Sequence, residues 1–281
     1  MSLRDIRRGG ANRCSHANSK MTGGRRLAIL TLAATAVLSQ LAGKAQELQS
    51  PPVNPVVVEL FTSEGCSSCP PADALLERMD AAQPIPGAQL IVLSEHVDYW
   101  DHDGWKDPYS SSFVTERQAE YIRVLRLNTA YTPQIIIDGT FELQGNGAPL
   151  TESLRKASAT RKIPVHIRSV TLDFNGSRVL RGRAEVESAG EKSEANVYAA
   201  LALDHVESQV LRGENSGKRL THVSVVQEIT KIGKLTRGSF SQDFQIKLKS
   251  GMDPTNLRLI VFVQTPNVGR ILGAVALKVN N

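Results

Sequence analysis

Cysteine is nearly absent from this chain of 281 residues, which has only Cys14, Cys66 and Cys69. A disulfide-rich scaffold is thereby excluded. Long apolar runs are also lacking. The one segment apolar enough to engage a bilayer, Leu27 to Leu41, is too short and too near the first residue to read as a span, so a polytopic membrane protein is excluded. Repeats and low-complexity tracts are missing. With 41% hydrophobic and 22% charged residues, the composition also excludes a disordered chain, a coiled coil and a collagen. What is left is enough chain to bury a sizeable core in one or two domains.

Arg25 and Arg26 precede the apolar run, and Leu41-Ala42-Gly43-Lys44-Ala45 follows it, with small residues at 43 and 45 suiting a signal peptidase. Residues 1–45 are therefore expected to be a signal peptide with an upstream extension, and the mature protein to be exported, periplasmic or extracellular. Met21 would begin a leader of more ordinary length, so residues 1–20 carry no fold argument. The flanks of the arginine pair fit a twin-arginine signal poorly, which favours general secretion.

Cleavage after Ala45 removes eight basic groups (Arg4, Arg7, Arg8, Arg13, Lys20, Arg25, Arg26, Lys44) and one acid (Asp5). The balance of 33 basic to 28 acidic residues becomes 25 to 27, and the formal charge of +5 becomes −2. Positive charge thus gives no reason to expect a nucleic-acid partner, and no stable membrane insertion is expected after cleavage. Cys14 leaves with the leader. A secreted chain with one C-x-x-C pair is expected to hold it as a disulfide or to cycle it.

Pro51, Pro52 and Pro55 make an extended arm before the β-branched run Val56 to Phe61. Ala72 to Ala82 has helical spacing, Leu90 to Leu93 reads as a strand, and Phe113 to Leu127 as a helix after a polar, aromatic loop from Glu95 to Ser111. Gln134 to Ile137, Asp138-Gly139 and Thr140 to Leu143 form a hairpin signal, and Pro149 to Thr160 a closing helix. Past Arg161 come β-rich runs: Val165 to Asp173, Val179 to Val186, Asn196 to Val206, Phe240 to Leu248, Leu257 to Gln264 and Ile271 to Val279. Asn175-Gly176, Gly190, Gly251 and Pro266-Asn267 punctuate them, so an antiparallel β-sandwich is expected there.

The stretch Phe61-Thr62-Ser63-Glu64-Gly65-Cys66-Ser67-Ser68-Cys69-Pro70-Pro71 puts the cysteine pair after a strand and at a helix start. Free N–H groups and the positive end of the helix dipole favour a thiolate at Cys66, the expected nucleophile, with Cys69 as resolving thiol. Thr132-Pro133 falls just before the strand that opens the hairpin. The combination resembles the thioredoxin fold over residues 56–160, which implies a cis Pro133 beside the dithiol. The Ser-Ser insert differs from the Gly-Pro of thioredoxin itself, so its reducing behaviour does not carry over.

E-L-F-T-S-E-G-C-S-S-C-P-P, the stretches His96 to Asp101 and Gly104 to Pro108, Tyr131 to Gln134, and Gly213 to Gly217 with Leu220-Thr221-His222 and Val225-Val226 together resemble the uncharacterised secreted family called domain of unknown function 1223. That resemblance implies a fold and export, and no established activity.

The expected fold class is an α/β thioredoxin-like domain (46–162) followed by an all-β sandwich-like C-terminal domain (163–281). The expected function is an exported thiol-disulfide oxidoreductase working on protein thiols or disulfides without an organic cofactor. Cys66 attacks, Cys69 resolves, Pro133 shapes the substrate edge and Glu59 moves the proton. Glu59 has a second reading, a strand-end carboxylate facing solvent, because strand parity is unsettled by one residue.

Two other functions stay open: a copper-binding protein using Cys66, Cys69 and His96, and a non-catalytic module stapled by a structural disulfide. His96 and Asp98 either tune the thiolate from the crevice at the strand ends or are satisfied within the loop. His102, Asp103 and Asp107 add ligand types without ligand spacing. Tyr99, Trp100 and Trp105 line a groove or anchor the loop. Glu214 to His222 is a solvated hairpin or a segment reaching across the crevice.

Overall fold

The computed structural model describes residues 53–145, 149–173, 178–187, 194–236 and 238–279. The expected leader, Pro51, Pro52, and the turn residues Asn175-Gly176 and Gly190 lie outside these. In chain order the elements are β1 (Asn54–Thr62), α1 (Pro70–Ala82), β2 (Ala88–His96), α2 (Ser112–Leu125), β3 (Gln134–Ile137), β4 (Phe141–Gln144), α3 (Leu150–Ala159), β5 (Val165–Asp173), β6 (Val179–Val186), β7 (Glu194–Gln209), β8 (Arg219–Thr236), β9 (Phe240–Lys247), β10 (Leu257–Gln264) and β11 (Ile271–Val279).

Local sequence explains the elements nearest the cysteines. β1 is a β-branched run buried on both faces, as a strand covered by helices on each side requires. α1 opens with Pro70 and Pro71, whose missing N–H groups cost nothing in a first turn, and it buries Ala72, Leu76 and Met79 at helical spacing. The same stripe also buries Asp73, a charge in an apolar row. The hairpin turns at Asp138 and Gly139, with φ of 50° and 63°. A Cβ on Gly139 would lie 2.3 Å from the Gly269 carbonyl, so the close approach there requires glycine.

The fold class departs from expectation. The described residues are 48% strand and 19% helix. They do not form a thioredoxin-like α/β domain followed by a sandwich, because both halves contribute four strands each to one eight-stranded mixed sheet in the order β11-β10-β7-β8-β2-β1-β3-β4. The two sets meet where Ser94 of β2 pairs in parallel with Val225 of β8. β1 runs parallel to β2 and antiparallel to β3, while β7, β8, β10 and β11 pair antiparallel. A three-stranded sheet, β5-β6-β9, packs on β7 and β10 through Leu180, Phe244 and Ile246 against Leu201, Leu259 and Val261.

The physical reason lies in β8. Its 18 residues fall in no expected strand, the first four belonging to the polar run Glu214 to His222, and a pairing of residues 131 positions apart leaves no local trace. The sheet also curls. Ile271 N–H donates to the Asp138 carbonyl at 2.9 Å, and side chains of β1, β2, β7, β8, β10 and β11 (Val57, Ile91, Ala200, Val226, Phe262, Ile271) share one core. α1 and α3 cover the face of β1 that carries Val56, Val58 and Leu60; α2 packs Val114 and Tyr121 on Phe61, from the other face.

Candidate active site

β1 delivers the chain to Ser63-Glu64-Gly65, and Cys66 and Cys69 close a disulfide across the start of α1, with Cα atoms 5.4 Å apart. Cys69 caps the helix: its carbonyl accepts from Ala72 N–H at 2.8 Å and Asp73 N–H at 3.1 Å. Ser67 and Ser68 face solvent, whereas both cysteines are 0% exposed. The Thr132-Pro133 bond is cis. Pro133, Thr132, Tyr131, Glu142, Gly145 and Ser68 line a cavity of about 700 Å³, so the structure brings the proline edge and the disulfide loop to one groove. Gly145 N–H donates to the Pro133 carbonyl at 2.9 Å, which fixes the groove floor.

The other side of the loop is built from charges. Glu64 Oε2 accepts from Trp105 Nε1 at 2.8 Å, and Glu64 Oε1 lies 3.5 Å from His222 Nε2. Asp73 Oδ1 lies 3.6 Å from His222 Nδ1. Both His222 contacts are ion-pair distances just outside hydrogen-bond geometry, and both carboxylate oxygens of Asp73, both ring nitrogens of His222 and Glu64 Oε1 are buried without hydrogen-bond partners. Burial alone would depress the His222 imidazolium, but Asp73 and Glu64 more than offset it and push its pKa up to about 10.

His96 sits beside this group, its ring centroid 4.6 Å from that of His222. Its Nδ1 lies 2.7 Å from Asp107 Oδ2 and its Nε2 3.2 Å from Ser94 Oγ. Burial works against the Asp107 carboxylate, yet His96 and the N–H groups of Glu64 and Tyr109 hold it below its ordinary value. Among the described residues, no group of three or more His, Cys, Asp or Glu side chains is arranged to hold a metal ion.

A segment from the far half closes the site. Asn215, fully buried, donates from Nδ2 to the Glu64 carbonyl at 2.8 Å and to the Cys66 carbonyl at 2.9 Å, and Glu214 Oε2 accepts from Ser67 N–H at 3.1 Å.

Glu59 is placed elsewhere. β1 turns Val56, Val58 and Leu60 toward α1, so Glu59 points to α2, where it accepts from Arg117 Nε at 2.7 Å and Tyr121 Oη at 2.5 Å. The structure therefore brings Cys66, Cys69 and Pro133 together and leaves Glu59 on the opposite face of the sheet. Asp98 is taken by Thr115 Oγ1 at 2.6 Å, and His102 and Asp103 are exposed. Trp100 donates to Thr132 Oγ1 at 2.8 Å, so Trp100 and Trp105 anchor the long loop to the site.

Asp73, His222, Glu64 and Asn215 escaped the sequence reading as site residues. Asp73 had a usable signal, a charge beside the apolar stripe of α1; His222 and Asn215 lay in the run read as a solvated hairpin or a segment reaching across the crevice and, with Glu64, in the stretches that carry the family resemblance.

This arrangement belongs to a family with no assigned activity. The chain matches the pattern of the family described as protein of unknown function DUF1223 over residues 57–264, and it is a member of that family. Among solved structures it is similar to protein AGR_C_4864 from Agrobacterium tumefaciens, at 26% identity and a TM-score of 0.63, covering 82% of this chain and 96% of that one. A domain of the outer membrane lipoprotein Omp28 from Porphyromonas gingivalis is a distant match, at 13% identity and a TM-score of 0.27, covering 43% of this chain and 89% of that one. No curated protein matches the sequence.

Proposed function

We propose that the protein is an exported thiol-disulfide oxidoreductase acting on protein dithiols or disulfides through Cys66 and Cys69. The observation that carries this reading is the position of the Cys66–Cys69 disulfide at the start of α1, beside a groove floored by cis-Pro133. A disulfide whose only task is to staple a helix start needs no such groove.

The disulfide form reacts as follows. A substrate thiolate attacks Cys66 Sγ, the Cys66–Cys69 bond breaks, and its electron pair leaves on Cys69 Sγ, which takes up a proton. The second substrate thiol loses its proton and attacks the substrate sulfur of the mixed disulfide, expelling Cys66 as thiolate. The substrate is oxidised by two electrons and the protein gains two thiols. The positive end of the α1 dipole favours negative charge on Cys66. Ser67 and Ser68 lead the substrate in, and because the cysteines are buried, attack requires the Asn215 segment to open locally. Export places the pair where disulfides persist.

The test is reduced Cys69→Ala incubated with an unfolded protein that carries disulfides. A mixed disulfide on Cys66 is expected to accumulate, because the thiol that would resolve it from the protein's side is gone. No adduct beyond that of the Cys66→Ala, Cys69→Ala double variant would overturn the reading.

A further inference from the structure

A buried disulfide that cycles has a proton problem. When the Cys66–Cys69 bond breaks, the electron pair lands on Cys69 inside the protein, and an uncompensated thiolate there is costly. Glu59, the expected proton acceptor, is bound to Arg117 and Tyr121 on the other face of the sheet.

A different set of groups stands at Cys69. Asp73 follows it by four residues on α1, with the Asp73 N–H bonded to the Cys69 carbonyl, so the two side chains share one helix face. Glu64 precedes Cys66 by two residues. His222, from β8, lies between the two carboxylates at 3.5 and 3.6 Å, so one imidazole ties together both ends of the disulfide loop. Five polar atoms of this trio are buried without a hydrogen-bond partner, an expensive arrangement for a purely structural cluster. A second cavity of about 170 Å³, which shares no lining residue with the Pro133 groove, reaches Asp73 and His222 past Pro70, Leu220 and Thr221. That volume accommodates several waters, each taking about 30 Å³.

We propose that Asp73, His222 and Glu64 form the proton relay of the Cys66–Cys69 pair, exchanging protons between Cys69 and solvent through the small cavity while substrate uses the Pro133 groove. The inference rests on reading the pair as an exchanging disulfide. Asp73 faces Cys69 and passes the proton; His222 and Glu64 are positioning residues that act through it. On reduction, Cys69 gains a proton from the trio, His222 is left neutral, and water in the small cavity restores the proton. On oxidation the same proton leaves by the reverse path. The titratable and charged groups facing His222 are Glu64 from the loop after β1, Asp73 from α1, His96 from β2 with its partner Asp107, Tyr109 from the long loop, and Arg219 at the cavity mouth; Glu77 bonds the neighbouring Thr221.

The test uses the mature chain and dithiothreitol as the reducing dithiol, with rates corrected for its thiolate fraction between pH 5.5 and 9. Asp73→Asn and His222→Gln are each expected to slow reduction about a hundredfold near pH 6 and to change the shape of the pH profile. Variant profiles superimposable on that of the unaltered protein would overturn the relay and leave the oxidoreductase reading standing. If the folded unaltered protein does not exchange with dithiothreitol at all, that reading falls and the relay falls with it. A measurement on the unaltered protein covers variants that fail to fold: the His222 ring titration, followed by NMR in the oxidised and reduced forms. Coupling of Cys69 to His222 through Asp73 predicts different midpoints in the two forms; coincident midpoints would overturn it.

Discussion

Two buried clusters in this protein follow the same plan, two carboxylates around one cation, and differ in the cation. On the α2 face, Glu59 and Glu95 flank Arg117, with Tyr121 bonded to Glu59 and the guanidinium 5.6 Å from the Phe262 ring centroid. On the α1 face, Glu64 and Asp73 flank His222. A guanidinium keeps its proton, so the first cluster adjusts through a carboxyl: burial, and then the charge of Glu59, raise Glu95 well above its ordinary value. In the second cluster the cation itself can lose a proton, and that cluster is the one beside a disulfide and a cavity. Chemistry is therefore expected where the titratable cation lies, and structure where the permanent one does.

The largest test of this contrast removes each cation. Arg117→Met strands Glu59 in the interior and is expected to cost about 3–5 kcal/mol of stability, read by denaturant unfolding. His222→Gln keeps an amide donor beside Glu64 and Asp73 and should cost less, while slowing dithiol exchange more. The reverse order would break the contrast.

Asn215→Ala comes next. It leaves the carbonyls of Glu64 and Cys66 without donors, worth about 1–3 kcal/mol, and should speed reduction by dithiothreitol about tenfold by loosening the segment over Cys66. Thiol trapping reads the rate; an unchanged or slower one would show that this segment does not shield the disulfide.

The two clusters should also separate by pH. The His222 contribution to stability is complete below about pH 6.5 and is lost as pH rises toward about 10. Glu95, also raised, contributes fully below about pH 4.5 and loses that contribution as pH rises through its folded value. Asp107, held low, acts in the opposite sense, and only as pH falls below about 3.8. Unfolding free energies should thus fall toward alkaline pH in two stages, with a slope of at most about 1.4 kcal/mol per pH step for each group. His222→Gln should remove the alkaline stage and Glu95→Gln the acid one. A single stage surviving both substitutions would mean other groups carry the pH dependence.

The smallest effect concerns the groove. A Cβ on Gly145 would lie 3.1 Å from Pro133 Cγ, at a φ of +48°. Gly145→Ala should cost about 1 kcal/mol and slow exchange with a protein dithiol severalfold, leaving reduction by dithiothreitol unchanged. Equal slowing with both reductants would detach the groove from substrate binding.

What the sequence made legible was local. The strand into Cys66, the prolines opening α1, the Asp138-Gly139 turn and the strands Val165–Asp173 and Leu257–Gln264 all lie where short-range patterns put them. The cis Thr132-Pro133 bond matches what the family resemblance implied. The architecture was not legible, because it depends on β8, whose first residues read as part of a polar loop and whose pairing with β2 spans more than a hundred positions. His222 was lost with it, since a histidine acquires meaning only from the carboxylates that the fold brings to it. Glu59 illustrates the period-two rule: its neighbours Val58 and Leu60 face α1, and one step of parity carries the carboxylate to Arg117.

The most direct measurement of the central claim is the reduction potential of the Cys66–Cys69 pair in the folded protein, by thiol trapping across glutathione and dithiothreitol buffers. A pair that exchanges with substrates should fall between about −120 and −270 mV, and a value well below about −300 mV would mark a structural disulfide and contradict the account.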